Sequence, residues 1–259
     1  VDYPSWNKNK GVVWCRNLHN NNTWKFEIDS ILSNPDYKPD HFFKLPPKER
    51  FPNIRSLEPF KNGLFTQNTN ICDYLLTVFN DNGKIVDSIP NQINVYAEYD
   101  PKYLSGRIWY THNIDLQKKK IIFAYCFVDI IVCTDFEGNI LFKRQGPDMI
   151  KKEKPKHMFL YKKDLMDNKE TFSHIHSDRK YIYCLYNGGN SLSMEKGEIV
   201  NNYPKNLFIY TWKGEPVIRL KLDHPVSNYA LDKENDRIIT LATDIGKYVY
   251  YDFNFDELD

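Results

Sequence analysis

Glycine is scarce in this 259-residue chain, only 11 residues, which excludes collagen-like and Gly-rich low-complexity architectures. No apolar run approaches the roughly 18 to 20 residues needed to cross a bilayer as a helix. A charged start followed by an apolar stretch is also lacking, and the chain begins with Val rather than Met. The expectation is therefore a leader that was never present or has been removed, with removal or truncation favoured. An excess of either charge is missing: 35 basic residues stand against 34 acidic ones, net +1. No overall field draws the protein to nucleic acid or to an anionic membrane. The five cysteines, Cys15, Cys72, Cys126, Cys133 and Cys184, are odd in number and widely spaced within apolar or aromatic runs. They read as buried thiols, and no Cys/His spacing suggests a structural metal. There is no GxSxG, P-loop, HExxH or GxGxxG motif, so nucleophilic, phosphoryl and dinucleotide chemistries are unsupported and no cofactor is expected.

What the chain has is aromatic residues, 15% of the total with 18 Tyr and 16 Phe, which favour pleated surfaces over helices. A charged fraction of 27% argues against wholesale disorder. One layout recurs in LLTVFNDNGKIVDSIP (75–90), IIVCTDFEGNILFKRQGP (130–147) and NLFIYTWKGEPVIRLKLDHP (206–225). Each has an apolar run, a polar turn with Gly, a second run and a closing Pro, which is a repeated hairpin. Further strand pairs lie between them, and no long amphipathic helix is evident. Asn is abundant where Gly is not, so Asn is expected to take left-handed turn positions. Five units are recognisable. Four-stranded units of about 40 to 45 residues mark a propeller blade, so the expectation is a single all-β domain over 1–259. It would be a β-propeller of four-stranded antiparallel blades, six in the intact protein.

If the strands of a unit are labelled A to D from the axis outward, A–B and C–D turns share one face and B–C and D–A connections the other. The short turns near Pro59, Ser177, Asp232, Asn80, Asp135 and Trp212 fall on the first face. The long segments 91–106, 148–171 and 188–205 fall on the second; the last two read as excursions, and 148–171 as charged and irregular with room for a short helix. Long loops on a rigid scaffold are where binding sites are built.

The run FSHIHSDRKYIYCLYNGG, an insertion, and then NLFIYTWKGEPVIRLKLDHPVSNYALDKENDRIITLATD resembles the C-terminal half of the TolB-like six-bladed β-propeller proteins of Bacteroidetes. The pieces that match are Tyr181 to Gly188, Ile209 to Pro216 and Ala230 to Glu234; Thr211 and Lys213 stand where that family tends to have acidic residues. The stretch NDNGKIVDSIP fits an earlier hairpin of the family, and the resemblance covers about 62–253, with a poor match over the first 60 residues. It implies a lipoprotein or uncharacterised protein of the bacterial cell envelope, with room for a lipid anchor on a removed N-terminus, and supplies no catalytic set. Five units against six suggest a first blade that is missing or hidden within 1–50. The segment 2–5 is a candidate for a missing D strand that closes the ring.

His174 and His176 alternate along one strand and share a face, as metal or sugar ligands or as a satisfied core or channel pair. Arg55, Arg107, His174 and Asn228 each begin an A strand, forming a polar ring at the channel mouth or simply solvated strand starts. Tyr96, Tyr99 and Tyr103 either line a carbohydrate or peptide site or fasten the long loop. The basic run 151–157 is a site for an acidic partner or a solvated loop. Asp29-Ser30-Ile31 and Asp87-Ser88-Ile89 resemble Bacteroidetes O-glycosylation sites. No carboxylate pair is singled out at the spacing a glycosidase needs. The reading is a non-catalytic envelope protein that binds a protein or glycan through the long-loop face. The alternative is a carbohydrate-active enzyme, a glycoside hydrolase or lyase, with carboxylates at the channel mouth.

Overall fold

A computed structural model describes residues 2–7, 11–16, 22–39, 41–44, 57–60, 64–68, 74–80, 82–90, 92–93, 110–148 and 169–258. Side-chain burial within strands is described from Val12 onward, with Arg16, 41–44, 57–59 and 64–68 excepted. The elements are β1 (Asp2–Asn7), β2 (Val12–Arg16), β3 (Asn22–Glu27), a short helix α1 (Ile28–Ser33), β4 (His41–Lys44), β5 (Leu57–Phe60), β6 (Leu64–Asn68), β7 (Tyr74–Phe79) and β8 (Ile85–Pro90). There follow β9 (Tyr110–Asp115), β10 (Lys120–Tyr125), β11 (Ile130–Asp135), β12 (Ile140–Gln145), β13 (Lys169–Ser177) and β14 (Tyr181–Asn190). The rest are β15 (Leu192–Glu195), β16 (Glu198–Asn201), β17 (Asn206–Thr211), β18 (Pro216–Lys221), β19 (Val226–Asp232), β20 (Arg237–Ala242), β21 (Lys247–Asp252) and a closing 3-10 helix (Phe255–Leu258).

Pairing is antiparallel and sequential, as short turns between aromatic and β-branched runs dictate. Four sheets have four strands each, in the orders β1-β2-β3-β4, β5-β6-β7-β8, β9-β10-β11-β12 and β13-β14-β17-β18; β19-β20-β21 has three, and β15-β16 is a separate hairpin. The all-β expectation and the four-stranded antiparallel unit hold. Residues 2–5 do not complete the last sheet: β1 pairs with β2 in the first one. The segment 188–205, read as a second excursion, extends β14 and forms β15 and β16.

The chain folds as two compact units, one of Val1–Ser105 with Leu116–Lys118 and Phe136–Asn139, the other of Gly106–Asp115 with Lys119–Asp135 and Ile140–Asp259. In the first, Leu75, Leu76, Val78 and Phe79 of β7 are fully buried, and Phe60 meets Phe136 edge-on at 4.6 Å. The second has two continuous cores. Ile122, Ala124, Ile131 and Cys133 pack against Ile175, Ile182, Cys184 and Tyr210. On the other side of the same sheet, Tyr183, Leu185, Leu207 and Ile209 pack against Val226, Tyr229 and Ile238. The sheet β13-β14-β17-β18 is thus covered on both faces, which is why its central strands read as unbroken apolar runs. The last sheet is covered on one face, and Tyr248 and Tyr250 of β21 are 80% and 62% exposed.

Two of the three repeated hairpins share one turn. Asn80 and Thr211 occupy the same place: Gly83 N–H donates to Asn80 O and Gly214 N–H to Thr211 O, both 2.9 Å. The side-chain oxygen of each accepts two more amides, from Asn82 and Lys84 at 3.0 Å, and from Lys213 and Glu215 at 3.2 Å. The glycines sit at φ of 70° and 77°, the left-handed region. Asn was expected there, but the described non-Gly residues with positive φ are Lys119, Lys196 and Asp236. Asn serves these turns through its side chain instead. The described cysteines are Cys15, half-buried, and Cys126, Cys133 and Cys184, buried, all free thiols. Burial pushes the Cys133 thiol up to about 12 and Cys184 higher still, so both are inert core groups.

Candidate functional site

The two ends of the sheets in the second half of the chain differ. At one end β9–β10, β11–β12, β13–β14, β17–β18 and β19–β20 are joined by three or four residues each. The opposite end carries the short turns β10–β11 and β20–β21, and from it both long connections leave, 146–168 and 191–205. Hydrogen bonds hold strand ends side by side from sheet to sheet there. Thr171, near the start of β13, donates its N–H to Cys126 O at 2.7 Å and its hydroxyl to Tyr125 O at 2.6 Å. Leu222 and Val226 N–H donate to Lys205 O and Pro204 O, and Thr243 N–H to Pro225 O.

The connection 191–205 is a rooted hairpin. Lys196 and Gly197, at φ of 50° and 84°, form the two-residue turn between β15 and β16, a type I′ arrangement that suits the strand twist. Its base is tied by Asn202, whose N–H donates to Ser191 O at 2.9 Å and whose side-chain amide donates to Asn190 O at 3.0 Å. Ser193 donates to Asn202 Oδ1 at 3.1 Å. Asn187 on β14 reaches both Asn202 O, at 2.8 Å, and Glu170 Oε2, at 3.2 Å. Met194 and Ile199 in the hairpin, and Tyr203 just after its base, are exposed.

At the same end, Tyr186 donates its hydroxyl to Asp148 Oδ2 at 2.9 Å, and the Asp148 N–H donates to Asp129 Oδ2 at 3.0 Å. Asp129 is fully buried. Burial, then Asp129 and Asp148, hold the Tyr186 phenol protonated far above its ordinary range. Gly146 permits this arrangement, since a Cβ there would stand 1.7 Å from Asp129 Oδ1.

His174 and His176 face β19. Their Nε2 atoms are 3.3 Å apart, and the Tyr229 ring stands perpendicular to both, at 5.5 and 5.2 Å between centroids. The Tyr229 hydroxyl donates to Tyr183 O at 2.7 Å. Burial and then the neighbouring His176 hold His174 down to about 4. His176 is lowered by burial, which outweighs a hydrogen bond to the Tyr229 backbone. Both rings are therefore neutral at pH 7. Asn228 is exposed and accepts the Tyr229 N–H at 2.7 Å. His174 is the sixth residue of its strand and Asn228 the third, so both lie inside strands rather than at their first positions.

Arg55, Arg107, Tyr96, Tyr99, Tyr103 and the run 151–157 lie outside the described residues. Asp29-Ser30-Ile31 is on α1 with Asp29 and Ile31 exposed, whereas Ile89 of Asp87-Ser88-Ile89 is buried in β8. Asp129, Asp148 and the rooted hairpin were not singled out from sequence. The turn Lys196-Gly197 between LSME and EIVN was the signal for the hairpin.

No family model matches the sequence, and no curated protein matches it. Among solved structures, hydrazine synthase of Kuenenia stuttgartiensis is similar in fold, at 11% identity with a TM-score of 0.53; the match covers 97% of this chain and 64% of that one. The chain thus spans under two thirds of the length of that protein. The β-propeller domain of Cps50 (Swd1) from Myceliophteria thermophila is similar at 9% identity, TM-score 0.48, over 97% and 83% of the two chains. A protein of unknown function from Bacteroides caccae is similar at 11% identity, TM-score 0.49, over 85% and 66%.

Proposed function

We propose that this chain is a non-catalytic protein of the bacterial cell envelope that binds a protein or glycan through the end of its sheets carrying the long connections. In this reading the sheets are blades of a single six-bladed propeller of the TolB-like kind, and a removed N-terminus carries the lipid anchor. The observation that carries it is the asymmetry between the two ends of the sheets. In the second half of the chain, from β9 to β21, one end has only turns of three or four residues, and the other bears the hairpin β15–β16, rooted by Asn187, Ser193 and Asn202. A rooted hairpin with exposed Met194 and Ile199, flanked by exposed Tyr203, presents contact groups at little ordering cost, which favours recognition. In the same reading Asn228 borders the binding face, and Arg55, Arg107 and the three tyrosines belong to it.

The test is a glycan array with a pull-down on the immobilised chain, wild type beside a variant with Met194→Ser, Ile199→Ser and Tyr203→Ser. Binding by the wild type that falls at least tenfold in the folded variant supports the proposal. A ligand held equally by both removes it.

A glycoside hydrolase or lyase is the second reading, favoured by the approach of Asp129 and Asp148 to the Tyr186 hydroxyl. It requires that bound glycans be cut, with the cleavage abolished by Asp148→Asn.

A further inference from the structure

The two-residue period of a strand sends the imidazoles of His174 and His176 to one side of β13, where their Nε2 atoms stand 3.3 Å apart. Two Zn–N bonds of about 2.0–2.1 Å that meet at the tetrahedral angle put their nitrogens about 3.3 Å apart. The cis nitrogens of a square-planar site with similar bonds would be closer, about 2.9 Å. The pair already has the bite of a tetrahedral chelate.

The surroundings hold that bite. The Tyr229 ring abuts both imidazoles and is itself anchored through its hydroxyl to Tyr183 O. Both histidines keep part of their surface exposed. In the metal-free protein a single hydrogen bridges the two nitrogens. When a metal replaces it, the donating ring moves its proton to Nδ1 and both Nε2 lone pairs become available.

We infer that His174 and His176 are a two-histidine half-site for a tetrahedral divalent metal of the zinc class, with its remaining positions open to water or to a donor on a bound ligand. Among the described residues no group of three or more His, Cys, Asp or Glu gathers there. The site is therefore an open one, weaker than a closed four-ligand structural site. Its existence does not depend on the proposed binding face.

Calorimetric titration of the folded chain with Zn2+ alone tests this, beside His174→Gln, His176→Gln and, as control, His224→Gln, whose imidazole pairs with Asp244 at the surface. One equivalent is expected in wild type and control, with affinity at least tenfold lower in each of the other two variants. Should those variants fold poorly, the wild type decides alone: Zn2+ should protect His174 and His176 from diethyl pyrocarbonate, read by mass spectrometry, and Co2+ should give the intense visible bands of a tetrahedral ion. No Zn2+ uptake by the wild type, or uptake without protection of these two residues, overturns the inference.

Discussion

Asp178 is the residue on which the short-turn end of the second unit converges. Its carboxylate accepts the N–H groups of Lys180 and Tyr181 at 2.6 and 2.7 Å and the Tyr183 hydroxyl at 2.8 Å, and it pairs with Lys233. Its carbonyl accepts Trp212 Nε1–H at 2.8 Å. Burial alone would raise its pKa, but Lys233 and the other donors outweigh it and the net shift is downward. Asp178→Ala is expected to destabilise by about 1–3 kcal/mol, read by urea unfolding. A depressed carboxylate contributes stability that is present above its unfolded pKa of about 4 and lost as the pH falls through the folded value. The histidine pair acts in a separate window. His174, near 4 when folded, would take up a proton near 6.5 when unfolded, so stability falls as the pH drops from about 6.5 toward 4. Urea midpoints measured across pH should show both losses, with His174→Gln shrinking the upper one to the part that His176 contributes and Asp178→Asn shrinking the lower. The shared face of the histidines was legible from their spacing alone. Tyr229, which fixes their rings, was not, because it comes from the next sheet and no local pattern relates residues so far apart in sequence.

At the scale of the element, the repeated hairpin was legible because its turn chemistry is local: a polar first residue, a glycine three later, apolar runs on both sides. Close packing of that turn was not legible. A Cβ on Gly214, at φ 77°, would stand 2.7 and 2.9 Å from Phe142 and Arg144 on a neighbouring strand. Gly197, at φ 84°, has nothing within 4 Å. Gly197→Ala is expected to cost about 1 kcal/mol, the left-handed penalty alone. Gly214→Ala should cost about 1–3 kcal/mol more, because Phe142 must also move. Paired urea titrations of the two variants separate these contributions. The hairpin β15–β16 went unread because its strands are only four residues long, too short for alternation to stand out.

At the scale of the whole molecule, the sheets were legible as repeats, since each is a run of neighbours in sequence. Their stacking was legible only as unbroken apolar runs, as in β14 and β17. The second unit makes a direct prediction. Its middle sheet is covered on both faces and its last sheet on one, so native-state hydrogen exchange should be slowest at β14 and β17. It should be faster by orders of magnitude at β21, whose outer face carries exposed Tyr248 and Tyr250. The hairpin β15–β16 has a further consequence. Its pairing is internal and its base closes on Asn202, so the exposed tip beyond Ser193 belongs to neither core. The residues of the tip can therefore be rewritten while the sheet keeps its stability, and the scaffold and the tip are free to evolve at different rates.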